Sequence, residues 1–131
     1  MGYFKYPMTL VGPEGEATVE ATVDTGAIFN VIPRLVMEVI GVRPTRKATF
    51  RVADGRRVEY DLATVITRLN AMETSTVCIF GEAEMEPLLG VVTLEIFLLG
   101  VDTVHQTLIP VEGKLLGCQI CLLAEETACG R

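Results

Sequence analysis

The sequence predicts an all-β domain with one or two short helices, and three local patterns carry that expectation. Residues 16–23 alternate strictly: Ala17, Val19, Ala21 and Val23 share one face while Glu16, Thr18, Glu20 and Thr22 share the other, as a half-buried strand requires. Just before them, Gly12-Pro13-Glu14-Gly15 supplies the backbone geometry of a tight reversal. Further on, Asp54-Gly55 stands between two strand-like runs, the arrangement that marks a hairpin.

Taken in order, Tyr3–Val11 and Glu16–Val23 are the arms of a first hairpin. Pro33–Ile40 reads as a short helix: Pro33 suits its first turn, Leu35, Val36, Val39 and Ile40 make an apolar stripe, and Gly41 suits its end. Lys47–Val52 and Arg57–Val65 are strands flanking Ala53-Asp54-Gly55, and a further strand pair occupies 64–80. Leu88–Gly100 combines a strand end, a glycine and a short helix, and Val104–Val111 is one more strand. No repeat, low-complexity tract or linker calls for a domain boundary. Residues 112–131 form a C-terminal extension in which Leu115-Leu116 and Ile120–Ala124 are apolar enough to pack and Glu125–Arg131 resembles a frayed end.

The chain has 131 residues, half of them hydrophobic, enough for one real core. A net charge of −6 argues against a groove that tracks nucleic-acid phosphates. The first residues lack the basic start and unbroken apolar run of a signal peptide, and Tyr6 stands where a myristoylation motif wants Ser or Thr. The apolar stretch 88–101 contains Glu95 and two internal glycines and falls short of the roughly 18 residues of a membrane span. Cys118-Gln-Ile-Cys121 has metal-like spacing, but there is no second such pair and His105 is the only histidine. The cysteines are therefore expected to be reduced packing residues of a cytoplasmic protein, with no cofactor, metal, nucleic acid or membrane as partner.

Chemistry concentrates in EATVDTGAIFNVIP, residues 20–33, where the alternating strand delivers Asp24-Thr25-Gly26-Ala27 and then Val31-Ile32-Pro33. Leu88-Leu89-Gly90 follows later, with the Asp-Gly hairpin between the two blocks. This ordered set, over about residues 8–111, resembles the retropepsin-like (clan AA) aspartic proteases, the single-domain homodimeric relatives of pepsin, and especially their compact prokaryotic members. The segments Val101-Asp102-Thr103 and Leu108-Ile109-Pro110-Val111 are also like theirs. The resemblance implies a closed β-barrel or sandwich with one active-site loop per subunit: a protease domain at 1–111, and 112–131 packing at the dimer interface. It implies Asp24 as the catalytic residue and Thr25, Gly26 and Ala27 as its loop. It makes Ala53, Asp54 and Gly55 a flap over bound peptide, and Leu88, Leu89 and Gly90 a support crossing beneath the loop. The activity implied is that of a homodimeric aspartic endopeptidase, without cofactor, its subunits tied by strands from their termini. The different-class alternative is a catalytically weak or inactive binding or dimerisation module on the same fold.

The chemistry needs two carboxylates. Facing each other at close range they cannot both ionise, so they share a proton; one accepts a proton from water while the other donates to the scissile carbonyl. This chain has one convincing copy, because Val104 follows Asp102-Thr103 where the motif needs glycine. A twofold axis bringing Asp24 of two chains together is the remaining source. By the same resemblance Thr25 hydrogen-bonds across the dimer and Gly26 permits a close turn. Val91-Val92 follow Gly90 where many relatives carry a polar residue, so a stabilising hydrogen bond there is absent or replaced. Arg56 and Arg57 fit an arm in water better than a contact to acidic substrate, and Tyr60 and His105 fit structural roles better than chemical ones.

A Ser or Thr at position 27 could donate a hydrogen bond to the catalytic carboxylate and favour its ionised form, whereas Ala27 cannot. The expected outcome is an activity optimum nearer neutrality than pepsin's. A pH–rate profile of intact protein peaking well below about pH 4 would contradict it.

Overall fold

The protein's structure, a computed structural model, describes residues 2–113. Its first hairpin joins β1 (Gly2–Gly12) and β2 (Gly15–Asp24), with Gly12 opposite Gly15 across the turn. The alternation expected of β2 holds: Ala21 and Val23 are buried, Ala17 and Val19 half-buried, and Glu16, Thr18 and Glu20 exposed. β3 (Asn30–Pro33) leads directly into α1 (Arg34–Val39), so Pro33 ends a strand and caps the helix rather than lying inside it.

The inward face of α1 differs from the expected stripe. Met37 and Ile40 are buried, whereas Leu35 and Val39 are 68% and 73% exposed. A helix of 6 residues is too short for apolar periodicity to settle its rotation, which is set instead by the strand that feeds it.

β4 (Arg46–Arg51) and β5 (Arg57–Leu69) form the Asp-Gly hairpin, with Arg51 opposite Arg57 and the loop Ala53-Asp54-Gly55 at its tip. The Val52 amide donates to the Arg56 carbonyl (2.9 Å) and the Gly55 amide to the Val52 carbonyl (2.9 Å). Gly55 takes φ +90°, a left-handed value that glycine adopts without steric cost. The strand pair expected over 64–80 is not a separate hairpin. β5 runs on past Val65 and itself pairs with β6 (Met72–Gly81), turning through Asn70-Ala71 with Asn70 at φ +57°. One long strand thus serves as arm of the projecting hairpin and then as barrel wall.

β7 (Leu88–Leu89) precedes α2 (Val91–Ile96), and β8 (Leu99–Asp102) pairs with β9 (Thr107–Pro110) as a separate two-stranded sheet. Strand structure therefore begins at Thr107 rather than Val104, because residues 103–106 make the turn between β8 and β9. α2 stops early: Leu98 adopts φ +55°, which reverses the chain and frees Leu99 to start β8.

The main sheet runs β1-β2-β7-β3-β6-β5-β4, and a further pairing of β1 with β5 (Thr9–Val11 against Ile66–Arg68) closes it. The result is a closed barrel with β4 attached outside the ring. β2 with β7 and β3 with β6 are parallel pairs, so chain from distant parts of the sequence meets side by side. Inside lie Met8, Leu10, Val23, Ile32, Leu69 and Leu89, all fully buried. A second apolar cluster around Val31, Leu62 and Ile79 gathers Phe29, Phe50 and Tyr60 beneath the projecting hairpin. No helix of the described residues is long and apolar enough to cross a membrane.

Leu10 is fully buried on the strand that closes the ring. Leu10→Ala should lower unfolding free energy by about 2–5 kcal/mol in a urea titration, and Leu35→Ala by less than about 0.5 kcal/mol.

Candidate active site

Asp24 ends β2, and the chain turns immediately after it. The Gly26 amide donates to Asp24 Oδ1 (2.9 Å) and the Ala27 amide to the Asp24 carbonyl (3.1 Å), so the tight turn is held by the residue it presents. Thr25 is exposed, and its hydroxyl lies 3.3 Å from Tyr3 Oη of the same chain.

Leu88-Leu89-Gly90 meets this loop as a backbone partner. Leu88 and Leu89 pair with Thr22 and Val23 of β2, and Leu88 also faces Val31 of β3. The Val91 amide donates to the Ala27 carbonyl (2.8 Å) and the Val92 amide to the Ile28 carbonyl (3.1 Å). These are first-turn amides of α2, which have no partner inside their own helix. A side chain at position 90 would put its Cβ 2.5 Å from the Phe29 carbonyl oxygen, so only glycine lets the two segments come this close. Upstream, the Thr22 amide reaches the Pro87 carbonyl (2.9 Å) and the Thr22 hydroxyl donates to Glu86 Oε1 (2.8 Å).

Val91 and Val92 offer no side-chain hydrogen bond, and a side chain of β3 bonds the segment just before them. Asn30, fully buried, accepts the Gly90 amide on Oδ1 (3.0 Å) and donates through Nδ2 to Thr76 Oγ1 (3.1 Å). Sequence reasoning missed this residue. Its signal was a lone amide side chain inside the apolar run from Ile28 to Pro33.

The hairpin approaches the loop through aromatic rings: Phe29 meets Phe50 edge-on at 6.2 Å between centroids, and Phe50 lies 6.2 Å from Tyr60. At its tip, Arg56 Nε donates to Asp54 Oδ2 (2.7 Å) and the Arg56 amide to Asp54 Oδ1 (3.0 Å). These bonds from Arg56 hold the Asp54 carboxyl below the usual carboxylate range. Asp54 and Gly55 thus make their hydrogen bonds within the hairpin. At its root, Arg34 of α1 donates to Asp61 Oδ2 (2.7 Å), Lys47 stands 3.7 Å from Asp61 Oδ1, and the guanidinium lies 5.0 Å over the Phe80 ring.

A cleft of about 580 Å³ opens here, walled by Arg34, Leu35, Glu38, Tyr60, Asp61 and Phe80, and the Asp24 loop does not line it. Asp102 serves a turn: its carboxylate closes the β8–β9 connection, accepting the Val104 and His105 amides (3.1 Å each) and facing His105 Nδ1 at 2.8 Å. Those contacts, the imidazole's foremost, hold its carboxyl low. Among the described residues no three His, Cys, Asp or Glu side chains converge as metal ligands. Cys78 is buried, its thiol pushed up to about 11 by burial, and the Cys118–Cys121 pair lies outside the described residues.

No protein-family model matches the chain, and no curated protein matches it in sequence. Solved structures do match. The solution structure of Simian Foamy Virus (mac) protease aligns with a TM-score of 0.53 at 14% identity, over 70% of this chain and 91% of that one. The crystal structure of the retroviral protease-like domain of Ddi1 from Leishmania major aligns with a TM-score of 0.56 at 20% identity, over 84% of this chain and 89% of that one. The fold is therefore all-β and retropepsin-like.

Arg34 holds the Asp61 carboxyl below its ordinary range, chiefly by the hydrogen bond, with Lys47 adding attraction. A depressed folded-state value contributes stability above the unfolded carboxyl's midpoint of about 3.9, and that stability is lost as pH falls through the folded midpoint. Arg34→Met should move the Asp61 midpoint upward in an NMR titration of its carboxyl carbon. An unchanged midpoint would contradict the pairing.

Proposed function

We propose that this chain is one subunit of a homodimeric aspartic endopeptidase, a compact member of the retropepsin-like group similar to the prokaryotic ones. The observation that carries the reading is Asp24 itself, presented on a turn gripped by the Gly90–Val92 backbone in a retropepsin-like fold. Asp24 of each subunit supplies half of a carboxyl pair sharing one proton. The ionised member takes a proton from water as the water attacks a peptide carbonyl, and the protonated member donates to the carbonyl oxygen. The tetrahedral intermediate then collapses as a proton passes to the leaving amine.

The β8–β9 sheet supports the dimer. Among the described residues its two strands pair only with each other, and an isolated pair of strands is marginal in water. Ile96, Leu98, Ile109 and Val111 are each 42–50% exposed around it. A second copy would cover this apolar ground and continue the sheet. The expected packing of the extension 112–131 at this interface falls, from position 114 on, outside the described residues. The hairpin β4–β5 closes over peptide, with Ala53-Asp54-Gly55 at its tip. The enzyme acts in the cytoplasm, where Cys78 stays a thiol inside the barrel.

The deciding comparison is wild type against Asp24→Asn on a diverse peptide library across pH, with both checked as dimers by analytical ultracentrifugation. Cleavage by wild type and loss of about 10³-fold or more in the variant is expected. Equal cleavage would sink the catalytic assignment, and no cleavage by either dimer would favour a binding module.

A further inference from the structure

We infer that Asn30 is the positioning residue of the Asp24 loop, fixing it by a directional chain of hydrogen bonds that only an asparagine-shaped side chain completes. The chain starts at the Val65 carbonyl, which accepts the Thr67 hydroxyl (3.1 Å). With that proton committed, the 2.7 Å contact between Thr67 and Thr76 requires Thr76 to donate. Thr76 Oγ1 is then left as an acceptor, and Asn30 Nδ2 donates to it at 3.1 Å. On the other side the Gly90 amide can only donate, so the atom facing it at 3.0 Å is the amide oxygen. Both ends of the Asn30 side chain are therefore specified, and no rotated amide satisfies them.

Asn30, Thr67 and Thr76 are all buried, so each bond lies where water does not replace it. From Gly90 the order passes into the loop: Val91 and Val92 hold the Ala27 and Ile28 carbonyls, and Ala27 in turn bonds the Asp24 carbonyl. A leucine at position 30 would fill similar space but leave the Gly90 amide and Thr76 oxygen without Asn30. An ionised aspartate would serve the Gly90 amide and offer Thr76 no donor. The positioning follows from these bonds alone; its effect on turnover rests on the protease reading above.

The test is backbone amide hydrogen exchange by NMR at Gly90, Val91 and Val92 in Asn30→Leu, with Ile40→Val as a buried core variant that makes none of these bonds. These amides should exchange at least about tenfold faster in Asn30→Leu relative to the most protected core amides, and keep their relative protection in Ile40→Val. Unchanged relative protection in Asn30→Leu, or equal loosening in Ile40→Val, would overturn the inference. Should Asn30→Leu not fold, Asn30→Asp carries the same question. A protonated carboxyl presents one acceptor and one donor, so its loop amides should be protected in acid and lose protection as the buried group ionises. Facing that position, the Cys78 thiol stays neutral across this range, and Asp24 at the far end of the loop is controlled by Asp24→Asn/Asn30→Asp. No acid-side recovery would overturn the inference for that variant. If wild type cleaves peptides, Asn30→Leu should lose about tenfold or more in kcat with KM within about threefold, the pattern of a misplaced reacting group. If wild type cleaves nothing, the protease reading fails while the amide measurement still decides the positioning.

Discussion

Three consecutive backbone amides, those of Gly90, Val91 and Val92, find their partners on one short stretch, the Asn30 side chain and the Ala27 and Ile28 carbonyls. Both sides of this exchange need it. The amides open a helix and have no acceptor within it, and the carbonyls belong to a turn that makes no ladder of its own. An unsatisfied buried group costs about 1–3 kcal/mol, so two irregular segments become each other's secondary structure. The glycine at 90 follows from the same contact, since any Cβ would strike the Phe29 carbonyl.

The barrel makes that exchange possible by topology. β7 lies between β2 and β3, parallel to one and antiparallel to the other, so the strand that delivers Asp24 and the strand that leaves its loop flank the Leu88-Leu89 insert. Closure through β1 and β5 then leaves the ring without free edges, apart from the projecting β4. The projecting hairpin is fixed at both levels: Arg34 and Lys47 hold Asp61 at its root, while Phe29, Phe50 and Tyr60 join its inner face to the loop. Its tip keeps its hydrogen bonds to itself, leaving root and inner face as the parts that orient it. The acid-pair reading gives this arrangement a purpose, because two carboxyl groups sharing a proton must be held within a narrow geometry while the peptide above them is shielded from water.

Much of the fold was legible because strands with one wet face leave a period-two signature, as in residues 16–23. Glycine with aspartate at 54–55 likewise marks a reversal in any context. The position of Asp24 at the end of β2 was legible for a related reason: the tripeptide, the alternating strand before it and the later Leu-Leu-Gly block occur in order. The misses have common causes. Leu35 and Val39 were assigned inward because a helix of 6 residues offers too few positions to define a face. β5 was divided because a strand that passes from a two-sided hairpin into a barrel wall changes its burial pattern along its length. β8 went unseen because Leu98 turns the chain through a left-handed conformation that leucine rarely adopts.

By itself the sequence determined the class of fold, the strand that carries Asp24 and the hairpin turn, because each shows in the pattern of neighbours a few residues away. The tertiary structure alone decided what Asn30 does. Its partners lie 46 and 60 residues further along the chain, and a single buried amide acquires a direction only when a donor and an acceptor are fixed on either side of it.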